Sequence, residues 1–110
     1  MIGLSLTLTG SQNTMQSFQI KPHPIPNPDV IEDKKITAPF YSKILRFDLD
    51  KDGQPCVWFS ERVKNDEVDY SISLYRDGDK YDALLHTRHI GSCYYGGDMI
   101  HAFVGKTRHI

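Results

Sequence analysis

Four histidines crowd the last third of the chain: His86, His89, His101 and His109. His86 and His89 have the spacing of metal ligands on a helix, but on a strand that spacing sends two side chains to opposite faces. A zinc site needs three or four ligands, each oriented by a further partner. Surface or half-buried histidines, some paired with Asp98 or Asp82, are the plainer expectation. His89 and His101 can still meet if their strands are neighbours. With Arg88, Lys106 and Arg108 nearby in sequence, they would suit acid–base cleavage of RNA, in which imidazoles move protons and cations hold phosphate. The candidate catalytic residues are therefore His89, His101 and Arg88, on residue type alone. No metal and no cofactor is expected.

A second stretch imitates calcium chemistry. Asp48-Leu49-Asp50-Lys51-Asp52-Gly53 has the alternating carboxylates and the glycine of an EF-hand loop. Such a loop closes on a bidentate glutamate at its twelfth position, and Phe59 stands there. Pro55 and the run Cys56-Val57-Trp58-Phe59 favour an extended chain over a flanking helix. The stretch reads instead as a β-hairpin around a two-residue type I′ turn at Asp52-Gly53. That turn would set Lys51 opposite Gln54, Leu49 opposite Cys56 and Phe47 opposite Trp58. Leu45, Phe47, Leu49, Cys56 and Trp58 would then share one face.

The third chemical resource is aromatic. The chain has 6 Tyr, 5 Phe and 1 Trp. Strands carry aromatics to fill cores, but exposed tyrosine beside arginine also makes an interface, or a pocket for a flat ligand such as a nucleotide. Tyr81, Tyr94, Tyr95 and Arg88 are the candidate binding residues.

These residues must be positioned by a single domain, because the chain has 110 residues and can hold one modest core. A net charge of −1 gives no basic surplus for phosphate-backbone binding and no acidic surplus for mimicry of DNA. No segment is long and apolar enough to span a membrane as a helix. The first residues lack the basic start of a secretion signal, so a cytoplasmic protein with Cys56 and Cys93 reduced is expected.

Ile2, Leu4, Leu6 and Leu8 alternate with small polar residues, which predicts a half-buried leading strand over 1–14. Its apolar row and backbone edge call for pairing within the sheet or across a symmetric homodimer. Further extended pieces are predicted at Phe18–Lys21, Lys35–Phe40, Val68–Tyr75 and Met99–Val104, with Ala83–Ile90 a weaker one. The segment 22–28, with four prolines, predicts a polyproline-like connector. The β core should span 36–104. Thr87-Arg88-His89-Ile90 recurs as Thr107-Arg108-His109-Ile110, but nothing else repeats at that interval. No 3.6-residue stripe appears, so the fold should be mainly β with little helix: a small antiparallel meander, barrel-like or sandwich-like.

This order of elements resembles an uncharacterised family of short phage and bacterial proteins, over roughly Ser17 to Val104. Two blocks carry the likeness. One is Ile44-Leu45, followed by Asp52-Gly53-Gln54-Pro55-Cys56-Val57-Trp58. The other is Ile90-Gly91-Ser92, Gly96-Gly97 and Ile100-His101-Ala102-Phe103. The likeness stops short of Met1–Thr14, which makes Met15 an alternative start. It implies a small β-rich protein of phage type and supplies no catalytic residues.

Two functions follow as expectations. The favoured one is a non-enzymatic binder acting on a host protein, concretely an inhibitor of a bacterial defence protein in the manner of an anti-CRISPR, or a sponge for a nucleotide signal. The competitor is a small hydrolase, an RNase or a metal-dependent enzyme, using the histidines. An aromatic surface without converging histidines would favour the binder. His89 and His101 entering one cleft would favour the enzyme.

Overall fold

The computed structural model describes residues 17–63 and 66–105. Its strands are β1 (Phe18–Pro24), β2 (Asp33–Pro39), β3 (Lys43–Leu49), β4 (Pro55–Arg62), β5 (Glu67–Arg76), β6 (His86–Tyr95) and β7 (Asp98–Gly105). One 3-10 turn, Ala83–Leu85, precedes β6. The strands form two antiparallel sheets, ordered β1-β4-β3 and β2-β5-β7-β6. The protein is mainly β and sandwich-like, not a closed barrel. None of its described helices is long and apolar enough to cross a membrane. The leading strand over 1–14, any dimer through it, His109 and the second Thr-Arg-His-Ile copy lie outside the described residues.

Phe47, Val57 and Phe59 supply the core from the three-stranded sheet. Ile36, Ile72, Leu74, Ile100 and Ala102 supply it from the four-stranded one. The period of two puts these residues inward on successive strands. β3 and β6 lie against one another: the Arg88 guanidinium donates to the Ile44 carbonyl, and Gly91 packs on the Phe47 backbone.

The Pro-rich segment departs from the expected connector. Pro22 and Pro24 belong to β1, opposite Trp58 and Cys56. The Ile25 N–H donates to the Pro55 carbonyl and the Val63 N–H to the Ser17 carbonyl, so odd-numbered residues of β1 bond to β4. The prolines therefore turn their missing donors to the open edge, which blunts it against further pairing. Inward, His23 pairs with the buried Glu61 carboxylate.

The hairpin is present, but the expected register is corrected by one residue. Phe47 lies opposite Val57, Asp48 opposite Cys56 and Leu49 opposite Pro55, with an irregularity at Leu45. The inward residues of β4 are thus Val57 and Phe59, and Trp58 is only half-buried. The cause is Asp50. Its Oδ1 accepts from the Asp52 and Gln54 N–H groups at 2.8 and 2.9 Å. Gly53 N–H donates to the Asp50 carbonyl at 3.1 Å, and Gly53 has φ +80°. This is a three-residue loop, a type I turn followed by a left-handed glycine. The two-residue turn with both φ positive occurs instead at Gly96-Gly97, with φ of 63° and 88°, where Tyr95 faces Asp98.

The calcium-like carboxylates are consumed locally. Asp50 holds the turn and takes a 3.6 Å contact from the Cys56 thiol; Asp48 pairs with Arg46 at 3.6 Å. Cys56 and Cys93 are both free and buried. Burial, then the nearby Asp50 carboxylate, pushes Cys56 from an ordinary 9.0 up to about 11. Burial, then Asp48, does the same to Cys93, which also reaches about 11. A thiol whose pKa is raised by folding favours the folded state while it stays protonated. That contribution is complete below about pH 9.0 and is lost as pH rises through about 11. Alkylation of the folded protein at pH 8 should therefore be slow at both cysteines and rapid in denaturant. Peptide mapping checks this, and fast modification of folded protein would contradict the burial.

Candidate functional site

The outer face of the four-stranded sheet collects the chemistry that the sequence scatters. His101 and Phe103 alternate on β7 with the buried Ile100 and Ala102, so both point away from the core. Pairing sets Tyr75 and Ser92 on either side of His101, and His89 opposite Phe103. A bulge in β6 between His86 and Arg88 changes the alternation locally. His86 and His89 consequently share the outer face, each packed on Phe103 with ring centroids 5.3 and 5.1 Å away. This corrects the expectation that a strand would send them to opposite sides: the extra residue of a bulge restores the face that the period of two removes.

The segment between β5 and β6 folds over this face. Asp82 caps the 3-10 turn by accepting from the Leu84 N–H at 2.9 Å. The turn brings Tyr81 onto Phe103 at 4.8 Å and Tyr75 at 5.3 Å, both tilted. The Tyr75 hydroxyl lies 2.8 Å from His86 Nε2. Burial, and secondly Asp33, hold that hydroxyl above its usual pKa. Tyr75, Tyr81 and Phe103 form one wall of a cavity of about 430 Å³; Asp77, His89 and His101 line it too. That volume is enough for a small ligand of roughly the usual size.

His89 and His101 are joined through one hydroxyl. Ser92 Oγ lies 3.1 Å from His89 Nε2 and 2.6 Å from His101 Nδ1. His101 Nε2 lies 2.6 Å from Asp77 Oδ1, and the two rings are 6.3 Å apart. An ionised carboxylate only accepts, so Asp77 fixes the direction of this chain. His101 Nε2–H donates to Asp77; with His101 neutral, Nδ1 accepts from the Ser92 hydroxyl, whose oxygen then accepts from His89 Nε2–H. Among the described residues no group of three His, Cys, Asp or Glu side chains is placed to hold a metal ion.

The arginines are engaged elsewhere. Arg88 is tied to β3 through the Ile44 carbonyl. Arg76 borders the cavity, but it pairs with Asp98 at 3.3 Å and donates to the Asp29 carbonyl at 3.0 Å. Of the tyrosines singled out from sequence, Tyr81 is in the aromatic wall. Tyr94 is 65 % exposed on the outer face beyond Ser92, and Tyr95 packs against the core. Asp77, not Asp98 or Asp82, is the histidine's partner. Ser92 and Asp77 carried no signal in the sequence. The alternation of Met99, His101 and Phe103 would have placed the last two together.

No family model matches the chain, and no curated protein or solved structure matches it. The fold and this face thus define its class: a small β-sandwich with a hydrogen-bonded histidine pair beside an aromatic wall.

Proposed function

We propose that the outer face of the four-stranded sheet is the working surface and that its chemistry is hydrolysis by the pair His89 and His101. The observation that carries this reading is their convergence on one hydroxyl at 3.1 and 2.6 Å, with both rings lining a cavity that has an aromatic wall. Two imidazoles that share one hydroxyl can act as acid and base.

Local charge favours a neutral substrate over RNA. Asp77 and Asp79 border the cavity, Arg76 is matched by Asp98 and Arg88 is turned to β3. A phosphodiester would meet two carboxylates with no unmatched arginine among the described residues of the cavity to hold it, and like charge at close range is unfavourable. A panel of RNA, nucleotide phosphodiesters and simple carboxylic esters tests the reading. Wild-type protein should turn over the neutral esters. His89→Ala and His101→Ala should each reduce turnover by about 10²-fold or more, the usual range for a lost acid or base, while circular dichroism stays unchanged. Unchanged turnover in both variants, or none in the wild type, would overturn it.

A separate observation favours recognition. Tyr81 and Tyr94 are 49 % and 65 % exposed, and interfaces draw most of their energy from a few such anchors. Taken with the phage likeness, this supports a binder of a host defence protein, or of a nucleotide signal, in the bacterial cytoplasm. It predicts the opposite pattern in an interference assay: Tyr81→Ala and Tyr94→Ala abolish activity, and the histidine changes cost little.

A further inference from the structure

Of the polar groups on the outer face, one has the surroundings of a nucleophile. A serine hydroxyl is activated when a base lies within hydrogen-bond reach and a third group orients that base. Ser92 Oγ is 2.6 Å from His101 Nδ1, and His101 Nε2 is 2.6 Å from Asp77 Oδ1. A second imidazole nitrogen, His89 Nε2, stands 3.1 Å from the same oxygen. Ser92 is exposed and does not itself line the cavity, but both of its imidazole neighbours do, together with Tyr81 and Phe103 as an apolar wall. An ordinary surface serine needs no such company.

We propose that Ser92 is the nucleophile of an acyl-transfer site. Its substrates would be uncharged carboxylic esters whose acyl or alcohol part is flat or apolar enough to lie on Tyr81 and Phe103. The proposal rests on the hydrolase reading and names its reaction. His101 is the base, Asp77 positions it, and His89 Nε2–H is the donor nearest the developing oxyanion.

The step balances without a cofactor. Ser92 Oγ adds to the ester carbonyl carbon while its proton passes to His101 Nδ1. The carbonyl π pair moves onto oxygen, and His89 Nε2–H, which in the resting site faces the Ser92 oxygen, would turn its donor to that charge. Collapse of the tetrahedral intermediate breaks the bond to the alcohol oxygen, which leaves with the proton from His101. Water then adds to the acyl-serine ester with His101 again as base. The carboxylic acid departs and Ser92 regains its proton. While His101 holds both protons, its positive charge faces the Asp77 carboxylate. Asp77 is 78 % exposed, so solvent screens that pairing, and its loss should cost only about tenfold, less than a buried orienting carboxylate would cost.

The test uses the full chain with a fluorophosphonate probe and p-nitrophenyl butyrate. The wild type should take one adduct, mapped to Ser92, and should show an acyl-protein mass during turnover. Ser92→Ala should lose the adduct and the activity. His101→Gln should lower the labelling rate by about 10²-fold or more, and Asp77→Asn by about tenfold. Circular dichroism of each variant separates chemistry from folding. If Ser92→Ala hydrolyses esters like the wild type while the histidine variants do not, the histidines act on water; this inference fails and the hydrolase reading stands. Labelling that is absent, or that falls on another residue, also overturns it. If esters are not hydrolysed even by the wild type, both fail.

Discussion

Phe59→Ala should remove about 3–5 kcal/mol of stability, the usual cost of emptying a large aromatic site in a core. Phe59 is fully buried and bridges the two sheets. Its ring meets His23 of β1 edge-on at 5.0 Å and Tyr70 of β5 at 5.2 Å. Small domains are held by only about 5–15 kcal/mol in total, so the loss should lower the melting temperature by roughly 15–25 °C. Phe103→Ala on the outer face is the control. Phe103 is half-buried beneath Tyr81 and two histidines, and its removal should cost clearly less. A fall of less than about 5 °C for Phe59→Ala would mean that Phe59 does not join the sheets as described.

Gly91→Ala should be of similar size for a different reason. Gly91 has φ +149°, and an added Cβ would overlap the Phe47 carbonyl oxygen. The backbone strain costs about 1–3 kcal/mol, and the overlap, with backbone rather than a flexible side chain, about as much again. The damage should be local: faster hydrogen exchange in β3 and β6, where Arg88 ties the strands together. Gly97→Ala separates the two causes. Gly97 also has a positive φ, +88°, but nothing lies within 4 Å of its Cβ position. It should lose only the conformational part, about 1 kcal/mol. Equal denaturant midpoints for the two variants would show that β3 and β6 do not touch at Gly91.

The same residues show how much was legible beforehand. The alternation at Val68–Leu74 and the extended run at Met99–Val104 are local properties, and both strands lie where they were expected. The hairpin register was not legible from Asp52-Gly53. Two turn types compete for that dipeptide, and Asp50 decides between them by bonding two backbone N–H groups with one carboxylate oxygen. Pro22 and Pro24 argue against a sheet interior, and β1 honours that, since only an edge strand can direct a missing donor to solvent.

The candidate site divides along the same line. That His101 and Phe103 share a face follows from the sequence once β7 is recognised, because a strand's geometry alternates. Their neighbours do not follow. His86 joins them through a bulge, Asp77 reaches His101 because β5 pairs with β7, and Ser92 stands between the histidines because β6 pairs with β7 and a second bulge, between His89 and Gly91, returns it to the face of His89. Fold class, most strand positions and the residue types available for chemistry can be read along the chain, since these depend on near neighbours. Which of those residues meet cannot, because pairing register and bulges are set by long-range packing, and a shift of one residue exchanges the two faces of a strand.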